Sequence, residues 1–185
     1  QPLDQAREIF RGAASDVQVS PTVLRDPDGK VRAILADRGV SFFERKFFLI
    51  DGPSPVELPL PRKAELRAFV KGQLVFRLAE DGNGWKAGDL IAYDLDALRR
   101  DPAAAKATLV FRPGPHQAIE EVEATRDRVV VSLLEDVKGR LDVFSFNNGT
   151  WTRTRIPTPA DDAVQIVDAS STTNRLFFTV QGFLD

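Results

Sequence analysis

The sequence predicts an all-β chain organised as part of a β-propeller, about three and a half four-stranded antiparallel blades, and three observations carry that expectation. Helical periodicity is nearly absent from the 185 residues. Short β-branched or aromatic runs alternate instead with Gly, Pro, Asn and Asp clusters, which is the pattern of many short strands. One strand plan also recurs, in "GKVRAILADRG", "GQLVFRLAED", "DRVVVSLLED" and "NRLFFTVQGF". With Val31, Leu74, Val129 and Leu176 taken as equivalent, the repeats stand 43, 55 and 47 residues apart. A sheet of four short strands cannot shield both of its faces, and stacking on neighbours buries them, so a unit of this length implies radial repetition. A β-sandwich also uses short strands but does not call for the same four-strand unit again and again.

Residues 1–19 read as the end of a preceding blade or a linker. The blades then fall at about 20–61, 62–113, 114–159 and, incomplete, 160–185. Ahead of the recurrent strand in each lies "SPTVLRDPDG", "AELRAFVKG", "AIEEVEATRD" or "AVQIVDASSTTN". After each of the first three comes "SFFERKFFLID", "DLIAYDLDAL" or "RLDVFSFNN", and then "VELPLP", "ATLVFRP" or "TWTRTRIP". Turn chemistry agrees: "DPDG" places Pro where φ near −65° is wanted and Gly where φ turns positive, and "NNG" and "VKG" promise the same relief. One short helix is expected near 96–106, with Asp96 as its cap and Pro102 blocking its continuation.

Composition is that of an ordinary soluble globular domain, 43% hydrophobic and 28% charged. A net charge of −2 gives no reason to expect nucleic acid or an anionic membrane as partner. No run of about 18 apolar residues is present to span a bilayer. The absence of Cys removes disulfides and thiolate metal sites and leaves the compartment, cytoplasm or periplasm, open. The chain starts at Gln1, contains no Met and stops just after an apolar run, so it is expected to be a piece of a longer protein.

Few residues invite a chemical role. His116 is the single histidine, in the Pro-Gly-Pro connection "RPGPHQAIEE", and no G-x-S-x-G elbow accompanies it, so a solvated loop residue is expected. With one His and no Cys, no metal or other cofactor is expected. Glu135–Asp136 and the matching Glu80–Asp81 end equivalent strands, which favours a turn role over catalysis. "DGNGWKAGD" fails the calcium-loop pattern at its later positions and reads as a hairpin tip carrying an exposed Trp85, a candidate partner contact. "DLD" (Asp94 to Asp96) suits helix capping as well as cation binding, and "NGT" from Asn148 is a glycosylation triplet of undetermined context. Arg11, Arg45, Arg112, Arg153 and Arg155 are scattered and form neither a phosphate cradle nor a basic stripe.

"KGQLVF", "AGDLIAYDL" and "EATRDRVVVSL", within a likeness running from about Glu8 to the end, resemble the propeller region of bacterial prolyl oligopeptidase-family serine peptidases. The resemblance implies that the chain covers the active site of an α/β-hydrolase domain in the same parent chain and admits only short peptide substrates. None of the family's catalytic motifs matches a position here, so no catalytic residue is assigned and the chain alone should be inactive. Innermost strands would line a central channel, and Glu120, Glu121 and Glu123 would make part of that lining acidic on alternate positions. Blades without neighbours would expose faces and edges, so self-association is also expected. Two other readings stand beside this one: a propeller-type protein- or peptide-binding module, and a small β-protein enzyme with an unfamiliar site. A G-x-S-x-G motif in the parent sequence would favour the peptidase.

Overall fold

The apolar runs pair with their neighbours in chain order, as strands joined by tight turns must. The structure is a computed structural model that describes residues 3–52, 54–159 and 162–182. Strands β1 (Gln18–Arg25), β2 (Val31–Gly39), β3 (Arg45–Ile50) and β4 (Val56–Glu57) form one antiparallel sheet. β5 (Ala64–Val70), β6 (Gln73–Leu78), β7 (Leu90–Asp94) and β8 (Thr108–Phe111) form the second. β9 (Gln117–Ala124), β10 (Arg128–Glu135), β11 (Lys138–Asn147) and β12 (Thr150–Ile156) form the third, and β13 (Ala163–Ala169) pairs with β14 (Leu176–Gln181). These are three four-stranded meanders followed by a two-stranded one, the all-β architecture expected of a propeller segment.

The core lies between the sheets rather than within any one of them. Period-two alternation sends Leu74, Phe76 and Leu78 of β6 toward Leu35, Phe47 and Leu49 of the first sheet. Val75 joins Val129, Val131 and Phe144 of the third. Val130 and Leu141 meet Val164 and Ile166 of the last pair. A strand buried on both faces needs a continuous apolar run, and "QLVFRL" is almost that.

Three details depart from expectation. The helix α1 (Leu95–Arg100) is shorter than foreseen and is capped by Asp94, whose side chain accepts the Ala97 N–H at 2.8 Å, not by Asp96. Asp96 instead pairs with Arg99 at 3.1 Å. Asp101 then accepts the N–H groups of Ala103 and Ala104, both at 3.1 Å, and with Pro102 it folds the alanine run into a turn despite its helix propensity. "VELPLP" contributes only the two residues of β4, because Pro59 and Pro61 offer no N–H to a ladder.

The third departure is at "VKG". Gly139 does not supply the turn there. Asp136 and Val137 do, with φ of 49° and 61°, between the paired residues Glu135 and Lys138. A β-branched residue at positive φ is strained, and a two-residue hairpin of this kind favours Asp-Gly. Val137 is 88% exposed and has little packing to lose. Val137→Gly is therefore expected to stabilise the chain by about 1 kcal/mol, read as a rise in thermal midpoint. "DPDG" and "NNG" turn as foreseen, with Gly29 at φ 85°, and Asn148 and Gly149 at 50° and 78°.

Candidate functional site

The first strands of the second, third and fourth sheets lie next to one another. β5 approaches β9, and β9 approaches β13, so these strands converge. β5, β9 and β13 each carry one register shift, leaving Arg67, Glu120 and Val167 as the extra residues. A bulge adds local twist, which lets edge strands turn past one another. β1 stands further from β5, and a groove of about 600 Å3 separates them, walled by Thr22, Arg25, Asp37, Glu65 and Arg67. A second space of about 430 Å3 lies between β9 and β13, bordered by Glu120, Glu121 and Gln165.

The three glutamates expected on one alternating face are divided by the bulge. Glu120 is the exposed extra residue. Glu121 is half-buried, and its carboxylate accepts the Ile166 N–H at 2.8 Å, which makes it a tie between the third and fourth sheets. Glu123 is exposed on the same side of the strand. Partial desolvation and the Glu121 charge push its carboxyl up, Asp168 adds to this, and Arg67 opposes it. Glu121 and Glu123 thus act on one another, while Glu120 stands apart.

Trp85 is not the exposed tip residue that was expected. The tip is Asn83–Gly84, at φ 52° and 83°, and Trp85 is half-buried against the core between the first two sheets. Asp81 is likewise occupied, by Lys86 Nζ at 2.7 Å and the Ala87 N–H at 2.9 Å. His116 lies on the surface with Nδ1 3.7 Å from the exposed Asp136 carboxylate. Ser132 is buried and donates to the Val164 carbonyl at 3.1 Å. Glu135 accepts from Arg155 at 2.7 Å, and Glu80 accepts the Lys63 N–H at 3.1 Å, so both acidic pairs serve strand ends. Among the described residues, no group of three His, Cys, Asp or Glu side chains is placed to hold a metal ion.

Sequence reasoning missed what the scattered arginines do. Arg112 grips the buried Asp89 with two bonds, 2.7 and 2.6 Å. Burial pulls the Asp89 carboxyl up, yet the Arg112 fork and the Lys86 N–H outweigh it and hold it below the usual carboxylate range. Arg153 and Arg155 both bond the buried Asp142, at 2.9 and 3.1 Å, and Arg153 lies 4.7 Å over the Phe111 ring of the second sheet. The available signal was an Asp inside an apolar run, as in "GDLIAY" and "RLDVF", which cannot be buried without a partner.

No family model matches the chain. An uncharacterized peptidase of Sinorhizobium fredii is 34% identical over 194 residues, taking in 100% of this chain and 27% of that protein. An uncharacterized peptidase of Rickettsia prowazekii is 20% identical over 162 residues, 83% of this chain and 22% of its own length. In three dimensions the chain superposes on a post-proline cleaving enzyme from Rickettsia typhi with a TM-score of 0.83 at 17% identity, covering 98% of this chain and 28% of that one. It has the fold of a prolyl oligopeptidase propeller segment. Prolyl oligopeptidase B from Galerina marginata follows at a TM-score of 0.66 and 12% identity, over 97% of this chain and 25% of that one. The chain spans about a quarter of the length of the relatives it matches. Within this fold the buried Asp–Arg clusters hold adjacent strands of one sheet together.

Proposed function

We propose that the chain is a non-catalytic propeller part of a prolyl oligopeptidase-like serine endopeptidase, where it covers the active site and limits access to short peptides. The convergence of β5, β9 and β13, with Glu123 and Arg67 on the inner side, carries this reading. Sheets arranged around a common axis leave a passage too narrow for a folded domain. Exclusion of large substrates then acts on access alone and leaves the transition state untouched. A catalytic domain in the same parent chain is the partner this reading needs.

The inner wall also makes a charge-specific demand. Glu123 is exposed and, unlike Glu121, accepts no hydrogen bond from another sheet among the described residues, so its charge is open to reversal without loss of a tie. In the full parent, Glu123→Lys is expected to lower kcat/KM for a cationic short peptide and raise it for an anionic one, by about fivefold each. A neutral peptide should be hydrolysed as before. An identical profile for all three peptides would remove the proposed lining role.

A further inference from the structure

The hairpin turns that follow each first strand meet at one end of the molecule. Arg25 and Gly29, Lys71, Arg126, and Ser171 with Thr172, one group from each of the four sheets, border a cavity of about 190 Å3. Among the described residues, no carboxylate pairs with Arg25, Lys71 or Arg126. Neutral acceptors position two of them: Arg25 donates to the Gly29 carbonyl at 3.0 Å, and Lys71 Nζ bonds the Phe146 carbonyl at 3.0 Å and Asn147 Oδ1 at 2.8 Å. The nearby acids are already committed, Asp26 to Arg32 at 3.1 Å and Asp127 to Arg128 at 3.5 Å. Arg25, Lys71 and Arg126 therefore border one small cavity without a carboxylate partner of their own, beside Asp26, Pro27, Phe69 and Val70, in a molecule whose other arginines mostly grip carboxylates.

We infer that Arg25, Lys71 and Arg126 form an anion site that takes the C-terminal carboxylate of a short peptide, an assignment that rests on the peptidase reading above. The cavity is large enough for a carboxylate or phosphate group with its nearest waters and too small for a folded partner. Guanidinium and ammonium donors bind such a group by charge-assisted hydrogen bonds, and the Ser171 and Thr172 hydroxyls add neutral donors. Arg126 stands in the turn that follows β9, three residues beyond Glu123 in the chain. A short peptide whose carboxylate sits at this turn would have its ammonium end toward Glu123 and Glu121. The arrangement gives the passage a polarity: a cationic end and an acidic wall that orient an extended peptide.

The test is equilibrium binding to the full parent protein of three probes: triglycine, its C-terminal amide, and inorganic phosphate. Triglycine is expected to bind about tenfold tighter than the amide. Arg126→Gln, at an exposed turn, should erase most of that difference while leaving the thermal midpoint in place. Arg11→Gln, on the exposed N-terminal segment, should change nothing. Equal binding of acid and amide to the wild-type protein would overturn the site, and phosphate binding tighter than triglycine would overturn its assignment to peptides. Hydrolysis of a short peptide, followed separately, tests the peptidase reading itself. A parent that cleaves peptides without distinguishing acid from amide would refute only the anion site.

Discussion

Phe76→Ala is expected to destabilise the chain by about 4 kcal/mol. Phe76 is fully buried in β6, and its ring meets Phe47 of the first sheet edge-on, with centroids 5.2 Å apart. Removing it takes away a large transfer free energy and leaves a cavity between two sheets. Those sheets have backbone hydrogen bonds of their own and relax toward each other only in part. The loss is therefore larger than for a side chain within a deformable loop. Denaturant unfolding of the variant should show a lower midpoint with the slope unchanged. Phe42→Ala supplies the contrast: Phe42 is 85% exposed, and its loss should fall within about 0.5 kcal/mol. A Phe76→Ala change as small as that of Phe42 would mean that the cores do not lie between the sheets.

What could be read from the sequence follows from the range of the interaction involved. Strand order, turn positions and the four-strand unit depend on neighbours in the chain, and "GQLVFRLAED" or "DRVVVSLLED" announce them through alternation and flanking turn residues. The continuous apolar run of β6 even signals burial on both faces. Contacts between blades are another matter. Glu121 reads as a solvated channel residue, yet it accepts the Ile166 N–H from 45 residues away, and a bulge at Glu120 that no propensity announces shifts the alternation. Trp85 reads as an exposed tip because its neighbours are Gly and Asn, while its side chain folds back onto a core assembled from two sheets. Arg112, Arg153 and Arg155 look unrelated until the third and fourth strands of each blade lie side by side. The cavity bordered by Arg25, Lys71 and Arg126 is of the same kind: these residues lie 46 and 55 residues apart, and only the convergence of the hairpin turns brings them together.

Gly139 makes the same point in a single residue, and its replacement is the sharper test of how blades pack. In "VKG" it reads as the residue that relieves a turn, but its φ is not positive, and the strain falls on Asp136 and Val137 instead. The need for glycine comes from outside the hairpin. A Cβ at 139 would stand 2.5 Å from the Val164 backbone nitrogen, 2.8 Å from the Asp162 carbonyl oxygen and 2.9 Å from Val164 Cγ2. Two of these neighbours are backbone, so no side-chain rotation relieves the clash. The start of β13 must retreat, and with it go the Gly139 N–H bond to Asp162 and the Ser132 bond to Val164. Gly139→Ala is thus expected to cost about 3 kcal/mol, concentrated on one interface. Amide exchange should quicken throughout β13 and β14, while β6 and its partners keep their protection. Gly82→Ala, whose new Cβ would lie 3.5 Å from Pro61, should leave exchange and stability alike unchanged. Uniform quickening across all four sheets in Gly139→Ala would instead show that the blades unfold as one unit, and that the third-to-fourth contact is no more local than the core around Phe76.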